Sequence, residues 1–524
     1  MNEMKNYKYI MLLCLAVLAT ACSDFLDEIP KDSISPANFY NNAEDAIVAV
    51  NGAYAALNVN DYYSRYWMTS SALASDNCFT RLSNTSDRAP LVQLNDAGML
   101  VSPRYNIAIW GAVWQAINRA NAVIDHVPGI DMDLTLRDRI VGEAKFLRAL
   151  TYFNMVRRWG GVPLILSETS TSNISELQVS RNTADEVYAQ IIADLTDAMG
   201  DLPNIGDYSS NDVGRASKEA AQGLLAKVQL YRKDWTNAKT NAEAVINSPS
   251  GLDLMPDPAD NWWTGNGDRD NNQESVFEVQ YNGVSPQGHQ LGNNYEPNNS
   301  TYGPGHWGTI IGSLWWYNQF NDMDKRKAAT WLTEYPAPSG DSTIQWHENT
   351  YPVPHINKYR DPFNKVSDGM AYNLKVLRLA DVLLVAAEAS NESGKEEDAY
   401  TYVNRVRRRA NLPDLEGLTQ AQLRDSIYLE FRKELCYEGQ DYEELVRQGK
   451  LITNKTAYAT YTIPTMYNDD GSVFTPGQAL LDRIAQYQPR LVEYNYELDD
   501  YNTIFPIPQT AIDKNPNLTQ NTGY

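Results

Sequence analysis

EAKFLRALTYFNMVRRWGGVPL, residues 143–164, decides how the chain is built. The stretch carries Ala144, Leu147, Leu150 and Tyr152 and runs into Gly160-Gly161-Val162-Pro163, which predicts a helix over 133–158 with an abrupt stop. Working outward, a helix is expected over 107–126. An opening helix is expected over 36–58, where Asn42 and Asp45 can form a capping box and Ala46, Val50, Ala53, Tyr54 and Leu57 recur at helical spacing. Thr183 with Glu186 starts another, running to about residue 199, and Ser217 to Trp235 begins a pair that ends near Ile246. Late in the chain come 371–390, 395–410 and 419–447, the last with Thr419 and Gln422 as a further box. Short loops favour antiparallel pairs, and Ala380, Ala386, Ala387 and Ala389 let helices approach closely. The reading is a mainly α protein on a tetratricopeptide-like scaffold of helical pairs; no strict 34-residue consensus is visible, so it rests on pattern.

The middle reads differently. From Gly251 to Phe363 the chain is dense in Asn, Gly, Pro, Tyr and Trp, with brief strand-like runs such as Ser275 to Gln280. It is expected to form an irregular, loop-rich second region packed on the helices. Seven of the 12 tryptophans fall within residues 262–346. Sugar rings present flat C–H faces beside a belt of hydroxyls, which suits aromatic platforms flanked by hydrogen-bonding side chains. Trp262, Trp263 and Trp307, amid Gly and Asn, are the first candidates, with Tyr295, Tyr302 and Trp346 beside them; the competing role for any of these rings is core packing. Trp315-Trp316 reads as packing. A second candidate loop, Trp67 to Pro90, offers Trp67, Asn77, Phe79 and Arg81, whose planar fork can bracket vicinal hydroxyls or a carboxylate or can form an ordinary ion pair.

With 44 Lys+Arg against 66 Asp+Glu the formal charge is −22, which disfavours nucleic acid as a partner. The N-terminus, MNEMKNYKYIMLLCLAVLATAC, places two lysines before an apolar run from Ile10 to Ala19 that is too short to cross a bilayer comfortably. Residues 1–21 therefore read as a signal peptide, with an unprocessed anchor helix as the alternative. Ala19-Thr20-Ala21-Cys22 resembles a bacterial lipobox, which implies acylation of Cys22, and lipid chains attach a soluble domain at roughly 0.8 kcal/mol per buried CH₂. Of the remaining cysteines in a processed chain, Cys78 and Cys436 read as two buried thiols, a long-range disulfide being the alternative. Enzyme signatures are thin: there is no HExxH, GxSxG or P-loop, no histidine spacing for zinc, and Asp268–Gln273 departs from a calcium loop at its turn glycine. No catalytic residue, metal or cofactor is expected. Chance carboxylate pairs are certain in so acidic a chain, which keeps a surface glycosidase only as the last alternative.

Six stretches coincide with one family: Cys22–Pro30 (CSDFLDEIP), Glu143–Leu164, Leu377–Ala389 (LRLADVLLVAAEA), Tyr402–Ala410 (YVNRVRRRA), Glu430–Leu445 (EFRKELCYEGQDYEEL) and Phe505–Tyr524 (FPIPQTAIDKNPNLTQNTGY). Together they resemble the SusD/RagB-like outer-membrane lipoproteins of Bacteroidetes, and the acidic start after Cys22 resembles their surface-export signal. The resemblance implies a SusD-like α-α superhelix at the cell surface, lipid-anchored at Cys22. It further implies a non-catalytic lid that captures oligosaccharides for a partner TonB-dependent (SusC-like) outer-membrane transporter. Peptide capture for the same sort of transporter is the runner-up. On this reading 1–21 is the signal peptide and 22–250 an N-terminal helical scaffold with a loop insertion near 60–106. Residues 251–370 form the ligand-binding region, and 371–524 the C-terminal scaffold and closing segment. The matching segments explain the scaffold; ligand residues are expected from the two loop regions above.

Overall fold

The computed structural model describes residues 39–80, 91, 94, 104–169, 173–262, 269–283, 288–297, 307–337, 339–346, 353–361, 369–459, 466–467, 473–474, 482 and 499–524. Residues 1–21, expected as a signal peptide, and Cys22, Arg81, Trp263 and Tyr302 lie outside them.

Asn42 caps α1 (Ala43–Ala55) by accepting from the N–H groups of Glu44 and Asp45. Asp45 reaches back to the N–H of Asn41, not to that of Asn42, so the expected box is a one-sided cap. Next comes α2 (Tyr66–Ala74), inside the stretch read as a loop. All nine of its residues are buried, and a helix buried all round shows no amphipathic period by which to find it. The long helices α3 (Arg104–His126) and α4 (Leu134–Trp159) fall where expected. Gly160 ends α4 at φ +71°, and a Cβ on Gly161 would sit 2.2 Å from the Asn182 carbonyl oxygen, so both glycines serve the tight exit. Then follow α5 (Ala184–Asp201), opened by a complete Thr183–Glu186 box, and the hairpin of α6 (Lys218–Tyr231) with α7 (Trp235–Ile246).

The second half contains the short α8 (Leu291–Tyr295) and α9 (Lys325–Thr330), then α10 (Leu379–Glu392), α11 (Glu396–Arg409), α12 (Gln420–Leu435) and α13 (Asp441–Arg447). The helix expected over 371–390 starts only at Leu379, because Leu374–Arg378 is a strand. The helix expected over 419–447 is broken at Cys436–Gln440, where Tyr437 (φ +66°) and Gly439 (φ +77°) take the left-handed conformation.

Helices pack on their neighbours along the chain, α3 on α4, α4 on α5, α5 on α6 and α6 on α7. The series continues with α7 on α10 and α10 on both α11 and α12. The array is therefore continuous across the irregular middle, which leaves it after α7 and returns at α10. Leu379 to Asn391 of α10 are all buried, making this helix the centre of the core. The middle contributes short strands: β1 (Cys78–Thr80), β2 (Ser275–Val279), β3 (Ile310–Gly312), β4 (Trp331–Leu332), β5 (Glu334–Pro336), β6 (Thr343–Gln345), β7 (His355–Ile356) and β8 (Leu374–Arg378). They pair antiparallel as β1–β3, β2–β8, β4–β7 and β5–β6. Cys78 and Cys436 are both buried and unbridged.

Charges tie the middle to the array. Arg378, at the end of β8, donates to Glu274 (2.7 Å), Glu434 (2.6 Å) and Glu438 (2.8 Å). Arg326 of α9 pairs with Glu430 at 2.8 Å, Lys358 with Glu438 at 2.7 Å, and Arg409 with Glu434 and Glu274, every member being buried. Burial alone would raise the Glu434 carboxyl, but Arg409, Arg378, Arg326 and Lys358 reverse this and hold it well below the usual carboxylate range.

Candidate aromatic binding site

The β1–β3 ladder joins the two regions expected to carry ligand residues. Cys78 faces Gly312, Phe79 faces Ile311 and Thr80 faces Ile310, so the end of the first candidate loop lies against the centre of the aromatic-rich middle. Trp307 stands three residues before β3. Its N–H donates to the Asn293 carbonyl of α8 at 2.6 Å, and its ring is half-buried. The Arg65 guanidinium, immediately before α2, lies over that ring at 4.9 Å from the centroid and donates to Gln290 Oε1 at 3.2 Å. Ser64 fixes the same corner, its carbonyl accepting from the Gln290 N–H at 3.1 Å. Tyr66 and Tyr105 pack beside Arg65 with centroids 4.2 Å apart. Arg65 Nε has no hydrogen-bond partner and its guanidinium no carboxylate among the described residues. The result is a half-open indole held by a cation whose spare donors are on its Nη atoms, Nε being buried, a combination suited to a ring with an apolar face and hydroxyl oxygens.

A second half-open aromatic pair is Trp346 with Tyr317, their centroids 6.4 Å apart, with Lys327 Nζ 4.5 Å above the Tyr317 ring. Trp315, read as packing, is also half-buried and donates to Asp76 Oδ2 at 3.2 Å, whereas Trp316 is fully buried.

The other expected ligand residues have core positions. Trp67 is 1% exposed, donates from Nε1 to the Gly439 carbonyl and carries Arg158 at 3.7 Å over its ring. Asn77 is buried and donates to Asp441 Oδ1, and Phe79 is buried in the ladder. Trp262 packs against Tyr359 beneath Lys358, and Tyr295 lies fully buried between Tyr359 and Tyr437. A ring covered on both faces offers nothing to a sugar in this conformation. These residues instead support the site: Asn77 and Asp441 link the start of β1 to α13, and Tyr295 anchors α8. Burial pushes the Asp441 carboxyl up to about 7, against the pull of the Tyr437 N–H, Arg432 and Asn77. At the end of α8 it pushes Glu296 up to about 8, against the pull of the Asp361 N–H and Arg360. Arg65 was not among the expected residues; the only sequence signal for it was an arginine abutting Tyr66-Trp67.

Among the described residues no group of three or more His, Cys, Asp or Glu side chains could hold a metal, and no helix is long and apolar enough to cross a membrane.

An array of helical pairs thus carries an aromatic-rich insertion, and comparison with known proteins gives the family. Residues 330–524 match the SusD family, and residues 24–230 match the family described as starch-binding associating with outer membrane. SusD-like protein P2 of Formosa agariphila is 30% identical over 477 residues, covering 85% of this chain and 91% of its own. Surface glycan-binding protein A from Bacteroides uniformis superposes with a TM-score of 0.72 at 25% identity, covering 91% of this chain and 99% of its own. Surface glycan-binding protein A from Bacteroides thetaiotaomicron, solved in complex with laminarihexaose, gives 0.71 at 22% identity, covering 91% and 99%. The chain belongs to the SusD/RagB-like family of Bacteroidetes outer-membrane proteins.

Proposed function

We propose that this protein is a non-catalytic surface lipoprotein, acylated at Cys22, that captures oligosaccharides and delivers them unchanged to a TonB-dependent outer-membrane transporter. The observation that carries the reading is the half-open Trp307 ring stacked on Arg65 at the end of the β1–β3 ladder. A sugar C–H face fits the indole, and the spare donors of Arg65 fit its hydroxyls. The relatives named above as surface glycan-binding proteins, one of them holding laminarihexaose, support the same ligand class. Residues 251–370 act as the ligand-facing region, residues 22–250 and 371–524 as the scaffold that carries it. Arg81, Trp263, Tyr302 and Trp346 are further contacts on this reading, while Trp67, Asn77, Phe79, Trp262 and Tyr295 support the site from beneath.

Titration calorimetry against a panel of oligosaccharides, with reducing-end release followed in the same samples, tests this. Binding without release is expected, and Trp307→Ala is expected to weaken it about tenfold or more, since about 1.4 kcal/mol is a factor of ten. Sugar release by the purified protein, or no heat with any sugar, would sink the capture reading.

A further inference from the structure

A groove on the scaffold lies away from Trp307. It has a volume of about 440 Å³ and runs along α3, with the segment 165–169 as its opposite wall. That volume falls within the roughly 300–1,000 Å³ of ordinary small-ligand sites. Trp114 stands in it half-buried, held edge-on by Trp110 (centroids 5.6 Å apart, 75°) and Tyr152 (6.4 Å, 82°). Ile117 and Ile165 supply an apolar floor, and Gln115, Asn118 and Arg119 the polar rim.

The opposite wall is fixed. Asn118 Oδ1 accepts from the Thr169 N–H at 2.7 Å, and Asn121 Nδ2 donates to the carbonyls of Ile165 (2.9 Å) and Ser167 (3.0 Å). Tyr152 donates to the Ile165 carbonyl at 3.0 Å, and Arg148 to that of Leu166 at 3.0 Å. The groove is thus built in advance of any ligand, which lowers the ordering cost of binding.

Its donors are idle. Trp114 Nε1, the Gln115 amide and Asn118 Nδ2 have no acceptor among the described residues, and Arg119 spends only Nη1, on the Gly52 carbonyl at 2.9 Å. Three kinds of N–H donor around a half-open indole and an aliphatic floor call for a ligand with one apolar face and many acceptor oxygens. We infer that the Trp114 groove is a second saccharide-binding position, borne by the helical scaffold and separate from Trp307.

The separation follows from the helix that both places share. Tyr105, beside Arg65, and Trp114 are nine residues apart on α3, which is about 13 Å along the axis and about half a turn in direction. A disaccharide at one position does not reach the other, whereas a long glycan held at both gains from the second contact being intramolecular. This inference rests on the saccharide reading of the protein, and its test distinguishes the two.

The full chain is titrated calorimetrically with maltohexaose, cellohexaose, laminarihexaose, xylohexaose and mannohexaose. With the best binder two sites per chain are expected. Trp114→Ala should remove one and leave the other within about twofold, and Trp307→Ala should do the converse. Gln115→Ala, at an exposed helical position, should weaken the Trp114 site several-fold and leave the Trp307 site unmoved. A single site, lost in Trp307→Ala and unchanged in Trp114→Ala and Gln115→Ala, overturns the second position and leaves glycan capture standing. No heat with any of the five overturns both.

Discussion

Arg65 is the residue that turns Trp307 from a ring among many into a candidate platform. Its guanidinium lies 4.9 Å from the ring centroid, and its Nη1 donates to Gln290, so the indole is fixed by a cation that still has donors to give. A lysine keeps the charge but loses the flat stacking surface and the fork. Arg65→Lys should therefore lower saccharide affinity about fivefold while shifting unfolding stability by no more than about 0.5 kcal/mol, read by calorimetry and urea unfolding. A loss of affinity that tracks a loss of stability would show Arg65 to be packing only. Glu296, which closes the α8 helix that receives the Trp307 N–H, makes a prediction in pH. Burial raises its carboxyl to about 8, against about 4.3 in an unfolded chain. Between those values the folded protein holds a proton that the unfolded chain has released. Its contribution is therefore full below about pH 4 and drains away as pH rises through about 8. Glu296→Gln keeps a neutral group there, so its urea midpoint should vary less between pH 5.5 and 8 and exceed that of the parent at pH 8; parallel curves would refute the assignment. At this scale the sequence was only partly legible. Trp262 and Tyr295 stand in Asn- and Gly-rich surroundings as Trp307 does, and nothing local says that Tyr359 and Lys358 cover the first and Tyr359 and Tyr437 the second. Where aliphatic residues are scarce the aromatics must fill the core, and composition cannot say which ring is left at the edge.

At the scale of elements, the helices with caps and a regular period were legible, and those without were not. Thr183–Glu186 and Thr419–Gln422 both close complete boxes, and α5 and α12 begin where these residues say they should. By contrast α2 has no polar face, and β8 could be told from the helix after it only through its partner β2, more than ninety residues earlier in the chain. The break between α12 and α13 is the most instructive miss. Helical periodicity continues through Glu438, yet Gly439 turns left-handed at φ +77°, and a Cβ there would lie 2.4 Å from Met68 Sδ and 3.3 Å from Trp67 Cδ1. The glycine lets the chain pass close to α2, and its carbonyl receives the Trp67 indole N–H at 2.9 Å. Gly439→Ala should accordingly cost about 3 kcal/mol in urea unfolding, from the left-handed backbone and the displaced Met68 together. Trimming the obstacle with Met68→Ala should leave only the backbone part of that cost in the double variant. Strictly additive losses would mean that the two side chains do not meet.

For the whole molecule, the question is what holds an irregular insertion of this size on a helical array in one pose. The β1–β3 and β2–β8 ladders are short, and the continuous connection is the buried charge cluster of Glu274, Arg326, Lys358, Arg378, Arg409, Glu434 and Glu438. Such a cluster gains little over a well-packed apolar core, but removing one partner strands the others. Arg378 is the member that touches Glu274 in the insertion, Glu434 in the last turn of α12 and Glu438 just beyond it. Arg378→Met keeps most of the volume and leaves those carboxylates short of a cation, which should cost about 3–5 kcal/mol near neutral pH. The pH dependence separates this from a mere packing defect. In the parent, the cations around Glu434 hold its carboxyl well below the range of an unfolded glutamate, so the stability it contributes is present above about pH 4.3 and lost as pH falls through the folded value. In Arg378→Met that carboxyl loses one of its cations and takes up a proton at higher pH than in the parent, escaping part of the penalty. The difference in unfolding free energy between parent and variant should thus be largest above about pH 5.5 and shrink as pH approaches 4. A difference that stays constant across that range would mean that Arg378 acts by its bulk, and that the insertion is held by its strands and aromatic contacts instead.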